Sequence, residues 1–204
     1  MEGTSALKPS DFENFIFDLD GTLFAIPVDW VAVRNELAAL IKEPIEGTPL
    51  FQRVNQVISV RPALKESMFS IIESHELKAA DSVKPMPGAV ELVYSLFEVS
   101  RLALVTLQGK RVCAEILRKH KLLDLFETVV TREDSADRSA QLEAALNRLG
   151  VRPKDVLFVG DRLNDVVSAK KVGVPVALVG REMTGDIKPD YSFTGLSQLK
   201  DFFP

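Results

Sequence analysis

Two acidic segments of this chain have the spacing of a reactive site. The first is Phe17-Asp18-Leu19-Asp20-Gly21-Thr22-Leu23, and the second is Gly160-Asp161-Arg162-Leu163-Asn164-Asp165. Each directly follows a short apolar run, Phe15-Ile16-Phe17 in one case and Val156-Leu157-Phe158-Val159 in the other. A single Asp-x-Asp is ordinary turn chemistry, but two acid pairs placed after two apolar runs form a pattern. If the two runs lie side by side, up to four carboxylates converge. Such a cluster stays ionised only beside a cation, and hard oxygen ligands suit Mg²⁺. A carboxylate beside a bound metal can attack phosphorus and form an aspartyl-phosphate, while a second acid serves the leaving group and then the water. Asp18 and Asp20 are one residue apart where the chain turns, so each is free to face its own target. Gly21 permits a tight turn in which backbone N–H groups approach phosphate oxygens.

The elements that position these acids are legible as well. Besides the two runs above, Leu102-Ala103-Leu104-Val105, Thr128-Val129-Val130 and Val176-Ala177-Leu178-Val179 read as strands buried on both faces. Between them run helical stripes: Val90, Val93, Leu96 and Phe97 after Pro87-Gly88; Val112, Ile116 and Leu117; Leu142, Ala145, Leu146 and Leu149 before Gly150; and Val166, Val167 and Ala169 before Gly173 and Pro175. Strand and helix in alternation predict an α/β fold, a doubly wound parallel sheet of Rossmann-like type, with its site at the carboxyl ends of the strands. The run Leu102-Ala103-Leu104-Val105 ends in Thr106, which adds a hydroxyl to that edge.

From Phe24 to Lys84 the alternation stops. Three helical stripes occupy this stretch, around Trp30 to Ile41, Phe51 to Ile58 and Leu64 to Ile72, with no convincing strand. The predicted organisation is therefore a core of residues 1–23 and 85–204 interrupted by a helical insert, 24–84. At 204 residues the chain is long enough for one ordinary domain carrying such an insert. Its composition is that of a soluble globular protein, 46% hydrophobic and 26% charged. A net charge of −4 gives no general pull toward nucleic acid or anionic membranes. No apolar run approaches a membrane span, and the basic-then-apolar pattern of a signal peptide is absent at Met1, so the expected location is cytoplasmic. The only cysteine, Cys113, reads as core packing. His75 and His120 read as surface residues, and Trp30 reads first as packing within the insert. The basic run Arg118-Lys119-His120-Lys121 suits a helix C-terminus.

The motifs Phe-Asp-Leu-Asp-Gly-Thr-Leu-Phe and Val-Gly-Asp-Arg-Leu-Asn-Asp resemble those of the haloacid dehalogenase superfamily, phosphoglycolate-phosphatase-like, and the resemblance covers nearly the whole chain. It implies a Mg²⁺-dependent phosphohydrolase acting on a small phosphorylated metabolite. Asp18 then resembles the nucleophile and metal ligand, and Asp20 the general acid/base whose backbone carbonyl also binds the metal. Thr106 resembles the hydroxyl that holds the transferring phosphoryl group, with Gly21, Thr22, Leu107 and Gln108 as phosphate-binding candidates. Asp161 and Asp165 resemble the remaining metal ligands, and the insert resembles a substrate-selecting α-helical cap. The second acid, Asp20, favours phosphate chemistry over dehalogenation. The family's usual lysine before the fourth strand is missing from Thr131 to Ser139. Arg138 is the candidate replacement, able to grip phosphate with a planar fork, and Lys110 is the second candidate. Thr106 is followed by Leu107 and Gln108 rather than the frequent asparagine. Two alternatives to simple hydrolysis stay open at this point: a phosphomutase of the β-phosphoglucomutase type, and a phosphate-binding or regulatory protein with weakened turnover. The physiological substrate and the oligomeric state are not readable.

Overall fold

The structure is a computed structural model that describes residues 8–47, 49–181 and 186–203. Its centre is a six-stranded sheet in the order β5 (Thr128–Val130), β4 (Arg101–Val105), β1 (Asn14–Phe17), β6 (Val156–Gly160), β7 (Val176–Val179) and β8 (Tyr191–Phe193). Every neighbouring pair is parallel, so all carboxyl ends share one edge. Strand β1 lies between β4 and β6, with Phe17 opposite Leu104 on one side and Val159 on the other. The two acid-bearing runs are thus adjacent, as convergence of the carboxylates requires. The five expected strands are all present. The sixth, β8, escaped detection because Tyr191-Ser192-Phe193 is three residues long with a polar centre.

The sheet is covered on both sides, which explains the continuous apolar reading of its strands. Successive side chains of β1 alternate between faces. Phe15 and Phe17 join an apolar cluster with α4 (Ala89–Phe97) and α5 (Lys110–Lys119), while Ile16 joins one with α6 (Arg138–Leu149) and α7 (Leu163–Val172). Gly150 and Gly173 end α6 and α7 in the left-handed conformation that a Cβ disfavours. Cys113 is buried in the first cluster, as expected. Arg118 and Lys119 occupy the last turn of α5, where the helix dipole favours cations.

The insert holds α1 (Trp30–Ile41), α2 (Leu50–Val60) and α3 (Lys65–Ala80). Asp29 caps α1 by accepting hydrogen bonds from the N–H groups of Val31 and Ala32, at 3.1 and 2.9 Å. Val33, Leu37, Val54, Val57, Met68 and Ile72 meet in its interior and continue without a break into the cluster on the β1 face. The expectation of no strand in this stretch needs correction. Phe24–Ala25 (β2) and Lys84–Pro85 (β3) form an antiparallel ribbon where the chain leaves and re-enters the sheet domain. Two-residue strands leave no periodicity to detect. The histidine expectation is corrected too. His75 is buried in α3, its Nε2 2.9 Å from Glu36 Oε1, and His120 is half-buried with its ring 4.8 Å from that of Phe24. Among the described residues, no helix is long and apolar enough to cross a membrane.

Candidate active site

Beyond Phe17 the chain stays in register for one more residue, as the N–H of Asp18 donates to Val159 O at 2.9 Å. It then folds back, with Gly21 N–H donating to Phe24 O at 2.7 Å. Gly21 has φ +88°, and a Cβ there would lie 2.5 Å from Asp161 Oδ2. A Cβ on Gly160 would lie 2.7 Å from the carboxyl group of Asp165. Both glycines therefore leave the space into which a carboxylate packs. In consequence Asp18, Asp161 and Asp165, all buried, each present one oxygen within 4.8 Å of the others. The donor set is hard and anionic, and Asp161 Oδ1 is buried without a hydrogen-bond donor among the described residues. These residues fit a magnesium-like dication. Asp20 faces elsewhere: its Oδ1 accepts from Ile26 N–H at 3.2 Å, and its Oδ2 lies 3.3 Å from Arg162 Nη2.

Arg138, the first residue of α6, is buried against this cluster. Its Nη2 donates to Asp18 Oδ1 at 2.5 Å, and its Nε lies 3.1 Å from Asp165 Oδ1. Nη1 donates to Gln141 Oε1 at 3.1 Å. Gln141, fully buried one turn later, donates in turn to the carbonyls of Thr106 and Ser135. Lys110 is elsewhere: it opens α5, is exposed, and its backbone N–H donates to Glu133. The structure thus brings Arg138 to Asp18 and leaves Lys110 outside the site. Burial raises the Asp18 pKa to about 7, opposed by Arg138 and reinforced by Asp165, Asp161 and Asp20. Burial likewise raises Asp161 and Asp20, with Arg162 opposing in both cases. Three buried carboxylates beside one buried guanidinium leave a net negative centre, which a dication would neutralise.

A cavity of about 960 Å³ opens over Asp18. Its floor includes Asp20, Thr106, Leu107, Gln108, Arg138 and Asp165, and its roof is made by α1 and α2 through Trp30, Arg34, Phe51 and Asn55. Trp30 therefore lines the cavity as well as packing edge-on against Phe51, at 6.2 Å. Thr106 Oγ1 accepts from Gln108 N–H at 3.0 Å, and Gln108 Oε1 is buried without a donor among the described residues. Gly21 and Thr22 are not on this cavity: they line a separate hollow of about 450 Å³, and the Thr22 side chain is fully buried. Sequence reasoning missed Gln141, Arg162, Arg34 and Asn55. Gln141 and Arg34 each left a faint signal, being spaced three from Arg138 and four from Trp30 and hence on the same helical faces.

A family model for haloacid dehalogenase-like hydrolases matches residues 15–179. The chain is 28% identical to pyrophosphatase PpaX of Halalkalibacterium halodurans, covering 94% of this chain and 96% of that protein. It is 31% identical to phosphoglycolate phosphatase 1 of Pseudomonas aeruginosa, covering 93% and 78%. Among solved structures, a haloacid dehalogenase-like family hydrolase from Streptococcus pneumoniae superposes with a TM-score of 0.70 at 17% identity, over 95% of this chain and 99% of that one. A phosphatase from Thermococcus onnurineus gives 0.66 at 23% identity, over 93% and 97%. At these identities the structural matches speak for the fold.

Proposed function

Because the chain belongs to the haloacid dehalogenase-like hydrolases and is a phosphatase, we propose that it hydrolyses a small phosphate monoester through an aspartyl-phosphate on Asp18. The observation that carries this reading is the buried group Asp18, Asp161 and Asp165, with Arg138 on Asp18, of which Asp18, Asp165 and Arg138 line the large cavity. Asp18, through its second carboxylate oxygen, attacks phosphorus as the bond to the leaving oxygen breaks. Asp20, which lines the same cavity, gives its proton to that oxygen. It then takes a proton from the water that attacks the acyl-phosphate, releasing orthophosphate and restoring Asp18. Its raised pKa suits the acid role. Asp161 and Asp165, with Asp18 and the Asp20 carbonyl, would hold Mg²⁺, which when bound supplies charge neutralisation for the transferred group. Arg138, Thr106 and Gln108 orient the phosphoryl oxygens. The 24–84 insert acts as a cap, roofing the cavity and limiting access of water.

The test is turnover of p-nitrophenyl phosphate with Mg²⁺, then the same assay with EDTA and with Asp18→Asn. Both should abolish activity, and brisk turnover by Asp18→Asn would remove Asp18 as nucleophile. Arg34 and Arg162 both line the cavity, which supports a substrate with a second anionic group. Phosphoglycolate and pyrophosphate, the substrates named for the two relatives, both carry one. Comparing them with a simple alkyl phosphate tests this; with a hexose phosphate as substrate, an isomeric phosphosugar in place of orthophosphate would instead indicate phosphomutase chemistry.

A further inference from the structure

Against the 106–109 loop lies a buried ion pair. Arg132 follows β5, and its side chain is 1% exposed; Glu76 belongs to α3 of the insert and is 0% exposed. The two meet through both guanidinium nitrogens, at 2.6 and 3.0 Å. Arg132 Nη1 also donates to Leu107 O at 2.9 Å, and its main-chain N–H donates to Gln108 O at 3.3 Å. Glu76 Oε2 accepts from Gly109 N–H at 3.3 Å. The guanidinium lies over the rings of Phe51 in α2 and Phe69 in α3, at 5.6 and 5.2 Å. Gly109 makes room for the arrangement, since a Cβ there would sit 2.9 Å from Arg132 Nη2. Every partner of this pair is thus either the backbone of the 107–109 loop or a side chain of the insert.

A buried ion pair is a weak source of stability, because desolvation offsets most of its Coulomb attraction and apolar replacements often do as well. What it does supply is direction. Nη1 and Nη2 are fixed in angle by their acceptors, and the pair holds the loop at the Leu107 carbonyl and the Gly109 N–H. We propose that Arg132 is a positioning residue: it sets the 106–109 loop in its working geometry only while α3 is docked, so that Glu76 makes the phosphoryl-holding loop answer to the position of the insert. The inference rests on the reading of Thr106 and Gln108 as phosphoryl contacts. A shift of about 1 Å in such contacts costs on the order of a hundredfold in rate. Docking of the roof and assembly of the floor are then one event.

Two experiments test this. In the first, kcat and KM for p-nitrophenyl phosphate are compared among wild type, Glu76→Gln and Glu76→Leu/Arg132→Met, at a temperature where circular dichroism shows each fully folded. Positioning predicts kcat lower by on the order of tenfold or more in both variants, with KM changed about twofold or less, even where the double variant regains the wild-type unfolding midpoint. A folded double variant with wild-type kcat overturns the proposal. In the second, hydrogen exchange is measured on the unaltered protein, so the outcome does not depend on a variant folding. The Gly109 amide should share its opening with the middle of α3, showing protection within about tenfold of those amides. Exchange at the rate of an unprotected loop overturns it. Absence of wild-type turnover would instead reject the functional reading, while leaving the exchange result to judge the coupling.

Discussion

Replacing Gly21 with alanine tests the geometry of the acidic cluster through a single methyl group. The added Cβ would lie 2.5 Å from Asp161 Oδ2 and 2.7 Å from its Cγ, where ordinary contact begins at 3.4 Å. Either the carboxylate retreats by about 0.9 Å or the turn moves by as much. The backbone adds a cost, since φ +88° lies in the left-handed region, at about 1–2 kcal/mol for an L-residue. In a chain of this size that lowers the unfolding midpoint by roughly 2–8 °C, leaving a folded protein at assay temperature. The activity effect should be far larger. Displacing one ligand of the Asp18, Asp161 and Asp165 set by nearly an ångström should raise the Mg²⁺ concentration for half-maximal turnover at least tenfold and lower saturated kcat by on the order of a hundredfold. A Mg²⁺ titration of p-nitrophenyl phosphate hydrolysis, paired with a melt, separates the two effects. An alanine variant with wild-type Mg²⁺ dependence and kcat would falsify the placement of Asp161 against this turn.

Removing Arg138 leaves three buried carboxylates without their guanidinium. Arg138→Ala should lose about 3–5 kcal/mol at neutral pH and at least a hundredfold in kcat/KM, while Arg138→Lys recovers part of the stability but not the fork geometry; equal activity in all three proteins would return Arg138 to a structural role. The folded-state pKa of Asp18 is raised from 3.8 to about 7, so its protonated form supports the fold. That contribution is complete below about pH 4 and is lost as the pH rises through about 7. In metal-free buffer the stability of wild type relative to Asp18→Asn should therefore fall by about 2–3 kcal/mol between pH 5 and pH 8, and a flat difference by denaturant unfolding would contradict it. Arg34→Ala should raise KM for phosphoglycolate or pyrophosphate about tenfold and leave p-nitrophenyl phosphate unchanged; an equal change for all three would mean that Arg34 shapes the roof rather than reading the second anion.

The sheet was legible because its strands are buried on both faces, and such strands read as unbroken apolar runs whatever their neighbours. The convergence of Asp18 with Asp161 and Asp165 was legible only on the condition that their strands are neighbours, which the family resemblance implied and the sheet order bears out. The remainder depended on three-dimensional packing that spacing does not encode. Arg132 and Glu76 lie 56 residues apart and each looks like an ordinary surface charge. His75 likewise sits in a charged stretch of sequence but turns inward toward Glu36. Thr22 shows the converse: motif position suggested the phosphate site, whereas its side chain is fully buried and the residue lines a separate hollow. Arg138 was nominated, ahead of Lys110, from the lysine that the family resemblance implies; α6, capped by Asp137 whose Oδ1 accepts from Ala140 N–H at 2.9 Å, then places it on Asp18.

The central position of β1 has a consequence for biosynthesis. The strand is complete once residue 17 has left the ribosome, but the register partners of Asn14 are Arg101 and Val156. Until α4 and β4 have been made, at residues 89–105, Phe15, Ile16 and Phe17 have neither their neighbouring strand nor that covering helix. The three helices of the insert emerge meanwhile and can form from local contacts. The nascent chain therefore displays a strand that ends up fully buried, and the carboxylate that depends on it, well before the site can close. Shielding that strand during synthesis is a task for chaperones or for the early helices, and slower synthesis between residues 17 and 101 would lengthen the interval of exposure.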